Sequence, residues 1–179
     1  MEILIIGTIR ILGALPVLRW AFVGAIIAIL VDASDVFLMN LIDLGGLGGY
    51  HEFDKWADQA YAVTFLIVAL RWRGTARNVA VGLFAYRAVG IIAFEATGER
   101  ALLLVFPNVF ELWFLFVASL PHWNPNFAFT PRRVLSWGAP LLAAKECQEF
   151  VLHWGRWLDR FTATEALEAI WRFLTWPFG

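Results

Sequence analysis

The chain has 179 residues, of which 60% are hydrophobic and only 16% are charged, and its formal net charge is −1. Soluble domains are usually about 45–50% apolar and about 25% charged. The polar residues are therefore too few to cover a water-soluble particle, and the near-zero charge gives no electrostatic basis for binding nucleic acid. The composition predicts one all-α integral membrane domain over residues 1–179, with the lipid bilayer as its partner.

Four segments are long and apolar enough to be membrane-spanning helices, since such a helix needs about 20 predominantly apolar residues. They are residues 17–43, 54–72, 78–97 and 100–120. Pro16 suits the first turn of the first segment, and Gly98 suits the C-cap of the third. A glycine-rich turn, residues 45–49, joins the first two segments. The pattern predicts a polytopic transmembrane bundle of four to six spans.

Three further segments leave the number of spans open. Residues 1–15 are apolar but short, with Arg10 in their middle, and form either an interfacial helix or a kinked extension of the first span. Residues 134–160 carry a polar stripe at helical spacing that includes Lys145, and form either a fifth span with this stripe turned inward or an amphipathic surface helix. Residues 162–176 begin with a capping-box pattern and predict an interfacial helix.

The positions of the arginines predict the orientation. Seven of them precede the first span, separate the second from the third, or follow the fourth: Arg10, Arg19, Arg71, Arg73, Arg77, Arg132 and Arg133. Four spans place all of them on one side, which the positive-inside rule assigns to the cytoplasm. We expect a multi-pass protein of a prokaryotic-type plasma membrane, either as a homo-oligomer or with other membrane subunits.

Two pairs of aspartates predict a metal site on the non-cytoplasmic side. Asp32 and Asp35 share one face of the first span, and Asp54 and Asp58 share one face at the start of the second. Since the glycine-rich turn makes these helices antiparallel, the four carboxylates converge, and their mutual repulsion favours a bound cation. Oxygen ligands suit Mg²⁺, Mn²⁺ or Ca²⁺. The alternative is that the acids pair with arginines, cap helix ends or face water.

Arg87 and Glu111 lie in the middle of the third and fourth spans, and Asn108 is one turn from Glu111. A charge at the centre of a span costs roughly 2.5–3.5 kcal/mol on insertion scales, which makes such residues candidates for function. Either Arg87 and Glu111 form a structural ion pair, or Arg87 binds an anionic substrate group with Asn108 and Glu111 beside it. No two histidines fall within the spans, so haem is not expected.

The aspartate spacing resembles the CDP-alcohol phosphotransferase family, whose signature is D-x-x-D-G-x-x-A-R, then eight or nine residues, then G-x-x-x-D-x-x-x-D. Residues 32–38 resemble its first part and residues 54–58 its second, although Val36 replaces the glycine and Met39 and Asn40 replace the Ala-Arg pair. The resemblance implies six helices, a divalent cation on the four aspartates, and transfer of a phosphoalcohol from a CDP-linked donor to an alcohol. It implies that Asp58 is the general base.

Three functions are consistent with these patterns. The first is a divalent-metal-dependent enzyme that acts on a lipid or alcohol phosphate. The second is a non-catalytic subunit or scaffold of a membrane complex, which predicts exposed aromatic grooves. The third is a component of proton- or cation-coupled transport, in which intramembrane charges such as Asp32, Arg87 and Glu111 form a relay.

Overall fold

The computed structural model describes residues 2–42, 61–99, 101–149 and 172, and every regular element among them is helical. The helices are α1 (Glu2–Ala14), a short 3₁₀ turn (Leu15–Leu18), α2 (Ala21–Ile42), α3 (described over residues 61–69), α4 (Thr75–Thr97), α5 (Ala101–Val105), α6 (Val109–Trp123) and α7 (Pro131–Glu149). The predicted all-α fold is confirmed for this part of the chain. The glycine-rich turn at 45–49 and the helix predicted over 162–176 lie outside the described residues, except for position 172.

The chain reverses direction between α1 and α2. The carbonyl of Pro16 accepts hydrogen bonds from the amides of Arg19 and Trp20, at 3.1 and 2.9 Å, which closes the turn. Gly24 sits so close to this turn that a Cβ there would overlap the backbone of Val17. Further along the pair, a Cβ on Gly13 would lie 2.9 Å from Val31 Cγ1. The segment before Pro16 therefore lies along α2 and does not extend it.

Helix α6 provides most of the large side chains of the core. Phe110, Trp113 and Phe114 are fully buried, and the ring of Phe114 stacks on Phe65 of α3 with 4.3 Å between centroids. The neighbouring helices approach through small residues, namely Ala25, Ala28, Ala69, Ala76 and Ala80. Packing of large rings against alanines allows close helix contacts without cavities. The core therefore joins α2, α3, α4 and α6.

Helix α7 packs against α6 through aromatic rings. Trp137 stacks on Phe116 with centroids 5.1 Å apart, and Val134 and Leu141 lie against the core. The helix begins at Pro131. Proline suits the first turn because an N–H at that position would have no partner within the helix. This packing turns the second half of α7 towards the first turn of α6.

The outside of the bundle is apolar. Among the described residues, α4 and the stretch Ala101–Trp123, which contains α5 and α6, are long and apolar enough to cross a membrane. Only 11% of the most apolar window of α4 is buried inside the structure. Large side chains on several helices are mostly exposed, including Leu30 at 63% and Ile92 at 69%. Burial within the described structure therefore does not account for the hydrophobicity of these helices.

The contact between α4 and the segment after α5 depends on Gly90. A Cβ on Gly90 would overlap the Cβ of Phe106, whereas a Cβ on Gly82 of the same helix would meet nothing within 4 Å. We expect Gly90→Ala to lower the free energy of unfolding by about 1–3 kcal/mol through overpacking. The matched variant Gly82→Ala should raise it by about 0.5–1 kcal/mol through helix propensity. Thermal unfolding of the purified variants measures both changes. An equal change in stability for the two variants would contradict the close contact of Gly90 with Phe106.

Candidate functional site

The candidate site lies where the stretch Ala101–Trp123 is interrupted. Pro107 has no N–H to donate, and the chain leaves the helical conformation between Val105 and Val109. The carbonyls at this interruption accept hydrogen bonds from α4. Tyr86 donates its hydroxyl proton to the carbonyl of Val105, and Arg87 Nη1 donates to the carbonyl of Phe106 at 2.8 Å. Two polar side chains of α4 therefore bind the backbone carbonyls at the interruption.

Four polar side chains meet beside this interruption. Glu111 Oε2 accepts hydrogen bonds from Asn108 Nδ2 at 3.3 Å and from the Tyr61 hydroxyl at 3.4 Å, and lies 3.8 Å from Lys145 Nζ. Asn108 Nδ2 also donates to the Tyr61 hydroxyl oxygen at 3.4 Å. We call Tyr61, Asn108, Glu111 and Lys145 the Glu111 cluster. It links α3, α6 and α7.

The Glu111 cluster holds a buried ion pair. Glu111 is 9% exposed and Lys145 is 5% exposed. Glu111 lies in the first turn of α6, where the unpaired amides carry a positive partial charge that favours a carboxylate. Removal of two charges from water costs several kcal/mol per ion, and this pairing recovers only part of that cost. The charged pair is therefore an expensive feature of the fold, and its stability alone does not explain its presence.

The cluster is open to one side and closed on the other. Lys145 Nζ donates to Gln148 Oε1 at 3.0 Å, and Gln148 is exposed, so a polar connection leads from Glu111 to the surface. In the opposite direction, Tyr61 contacts the ring of Phe65, with centroids 5.4 Å apart, and Phe65 stacks on Phe114. These buried rings separate the cluster from the end of the bundle at which α6 ends.

A second charge pair, in which Arg10 is buried and Asp32 is partly exposed, lies near the level of the Glu111 cluster. Arg10 Nη1 is 3.2 Å from Asp32 Oδ1, and the Arg10 side chain is buried. The rings of Phe22 and His122 are 5.9 Å apart, which sets the register of α2 against α6. Asp32 is ten residues after Phe22 and Glu111 is eleven residues before His122, so they lie about 15 and 16.5 Å from that contact at 1.5 Å per residue.

The predicted pair of Arg87 with Glu111 is wrong. Arg87 binds the carbonyl of Phe106, because the interruption at Pro107 leaves that acceptor facing α4, and the cation beside Glu111 is Lys145. Asn108 lies beside Glu111, as its spacing of one helical turn predicts. The contact of Lys145 with Glu111 was not predicted, and its only signal in the sequence is the polar stripe of residues 134–160 in its inward-turned alternative.

The predicted metal site lies largely outside the described residues. Asp54, Asp58 and the side chain of Asp35 fall in the undescribed part, and Asp32 contacts Arg10. Within the described residues, no group of three or more His, Cys, Asp or Glu side chains is placed to hold a metal ion. The contact of Asp32 with an arginine agrees with the alternative interpretation for that residue. The site of four aspartates stays a prediction.

A double-mutant cycle tests the coupling of Glu111 to Lys145. Loss of one partner leaves a buried charge without its counterion, so Lys145→Met or Glu111→Gln alone should lower the free energy of unfolding by about 3–5 kcal/mol. The double variant should lose less than the sum of the two, with a coupling energy of about 0.5–3 kcal/mol, because it leaves no isolated charge. Thermal unfolding provides the four values. Additive losses would contradict a direct pair.

Comparisons of the chain with family models, with curated proteins and with solved structures find no match. The resemblance of residues 32–58 to the CDP-alcohol phosphotransferases therefore stays a prediction from the aspartate spacing. A function for this chain has to be argued from its described contacts, of which the Glu111 cluster beside the interrupted helix is the most specific.

Proposed function

We propose that the chain is an integral membrane protein of four to six spans in a prokaryotic-type plasma membrane, and that it is a component of proton- or cation-coupled transport. The exposed apolar surface of α4 and of the stretch Ala101–Trp123 supports membrane insertion. Trp20 and Trp123 are exposed near one end of the bundle, where indole rings favour the membrane interface. The aspartates after Asp32, namely Asp35, Asp54 and Asp58, would then lie towards the non-cytoplasmic side, while Asp32 pairs with Arg10 near the middle of the bundle.

The observation that carries the transport proposal is the buried Glu111–Lys145 pair at an interrupted helix. Ionisable groups inside a membrane are costly and mark ion or proton pathways. Interrupted helices near the membrane midplane form the ion sites of many transporters. The distance of about 16.5 Å from the Phe22–His122 contact to Glu111 is close to half of a hydrocarbon core of about 30 Å. Glu111 is therefore placed where a proton-exchanging carboxylate is expected.

Proton exchange at this pair needs no other cofactor. In the charged state Glu111 is a carboxylate and Lys145 an ammonium. Transfer of one proton from Lys145 Nζ to Glu111 Oε2 converts both to neutral groups, so the pair rearranges without a change in its net charge. Lys145 Nζ also donates to Gln148 Oε1 at 3.0 Å, and Gln148 is exposed on the outer face of α7, so a neighbouring subunit would have to complete the path that returns the proton to Lys145. The hydrogen bonds of 3.3–3.4 Å around Glu111 are long and therefore weak, which favours such rearrangement.

The mid-depth position of the cluster distinguishes transport from chemistry on a lipid phosphate. Phosphate headgroups lie at the membrane interface, about 15 Å from the midplane, so an enzyme for them needs its catalytic groups near a helix end. Glu111 lies inside the bundle and connects to the surface on one side through Gln148. The opposite side is closed by Phe65 and Phe114, so transport requires those rings to move or a second subunit to complete the path.

Proton flux into liposomes tests the transport proposal. The purified chain is reconstituted with an internal pH-sensitive dye, and a potassium diffusion potential drives protons inward. We expect flux above that of empty liposomes, and a fall of about tenfold or more in Glu111→Gln, because an amide cannot take up the proton. Glu99 is an exposed carboxylate just after the end of α4. The matched control Glu99→Gln should therefore keep the flux of the unmodified protein.

Two results would contradict the proposal. Flux equal to that of empty liposomes would exclude proton transport by the chain alone and favour a non-catalytic subunit of a membrane complex. Flux that survives Glu111→Gln would place the pathway elsewhere. The double variant Glu111→Gln, Lys145→Met contains no isolated charge, so its loss of flux with retained thermal stability separates a transport defect from misfolding.

A further inference from the structure

One end of the bundle concentrates arginines without acids. Three segments form it, residues 15–22, 70–77 and 122–134, which contain six arginines and no aspartate or glutamate. Arg71 Nη1 donates to the carbonyl of Leu18 at 3.0 Å, and Phe22 contacts His122, so the segments lie together. We call this surface the basic end. Its arginines are Arg19, Arg71, Arg73, Arg77, Arg132 and Arg133, and all six are exposed.

The charge of the basic end is not neutralised by the described structure. Arg71 and Arg133 bind backbone carbonyls, and no carboxylate in the described part of the chain pairs with any of the six arginines. A surface with this charge attracts anions and repels other basic surfaces.

Exposed tryptophans surround the same surface. Trp20 and Trp123 lie in two of the three segments, and both side chains are mostly exposed, at 62% and 81%. Indole rings at such positions favour the headgroup region of a bilayer, with the ring among the acyl chains and the N–H at the polar boundary. The arginines of the basic end therefore lie at the depth of the lipid phosphates if the tryptophans occupy that region.

We infer that the basic end binds the phosphate groups of anionic phospholipids in the cytoplasmic leaflet. The inference rests on the proposed membrane insertion and adds a lipid class to it. Each arginine near an anionic surface contributes independently of geometry, so the binding is electrostatic, weakens with salt, and needs no shaped pocket. A lysine at the same position should serve as well as an arginine.

Quenching of tryptophan fluorescence by brominated lipids tests this inference. The purified chain is reconstituted into bilayers that contain either brominated phosphatidylglycerol or brominated phosphatidylcholine, at low and high salt. We expect phosphatidylglycerol to quench at a several-fold lower mole fraction, and the preference to shrink at high salt. Each arginine near an anionic surface contributes a factor of roughly five. The triple variant Arg73→Gln, Arg77→Gln, Arg132→Gln should therefore show no preference for phosphatidylglycerol. The matched variant with lysine at these positions should keep it.

The outcomes separate this inference from the membrane proposal. Quenching by neither lipid would overturn both, since phosphatidylcholine reports insertion without regard to charge. Quenching by both lipids at the same mole fraction in the unmodified protein would overturn the lipid inference alone. An equal preference in the glutamine variant and the unmodified protein would also overturn it. Loss of the preference on addition of inorganic phosphate, but not of chloride at the same ionic strength, would assign the surface to free phosphate and overturn the lipid.

Discussion

The arrangement of the described helices depends on how the interruption at Pro107 is satisfied. An interrupted helix leaves backbone carbonyls and amides without partners, and each one costs free energy if it is buried away from water. Here the carbonyls of Val105 and Phe106 accept hydrogen bonds from Tyr86 and Arg87. Gly90, one turn further along α4, leaves space for the Phe106 side chain. The position of α4 against α6 is therefore determined by polar groups as well as by apolar packing.

The same interruption creates the Glu111 cluster. Because α6 starts anew at Val109, Glu111 lies in its first turn, and Asn108 lies before that turn with its side chain bound to Tyr61 and Glu111. A continuous helix would have no such positive end at this depth. Helix α7 then supplies Lys145 as the counterion, held by the stacking of Trp137 on Phe116. Backbone geometry, charge and aromatic packing are thus coupled at one place.

Charge is distributed in two ways along the bundle. In the middle, two pairs of opposite charge occur, Arg10 with Asp32 and Lys145 with Glu111, and this pairing limits the cost of burial. Arg87 instead donates to the carbonyl of Phe106. At the basic end the arginines are exposed and carry no paired acid among the described residues. The paired charges in the middle fit the proposed proton exchange, because a proton that moves within a pair leaves the net charge of the pair unchanged. The exposed arginines of the basic end fit the proposed contact with an anionic surface. The two proposals therefore concern different parts of the molecule.

The sequence by itself determined the all-α class of the described residues, the presence of long apolar helices and the position of Glu111 as a charge inside the bundle. These follow from composition and from helical periodicity, which depend on near neighbours in the chain. Only the tertiary structure decided the partners. Arg87 donates to the Phe106 carbonyl because α4 packs against the interruption at Pro107. Lys145 is 34 residues from Glu111, and the hairpin of α1 with α2 brings Arg10 to Asp32. Such pairs depend on how helices cross in space, which periodicity along one helix does not encode.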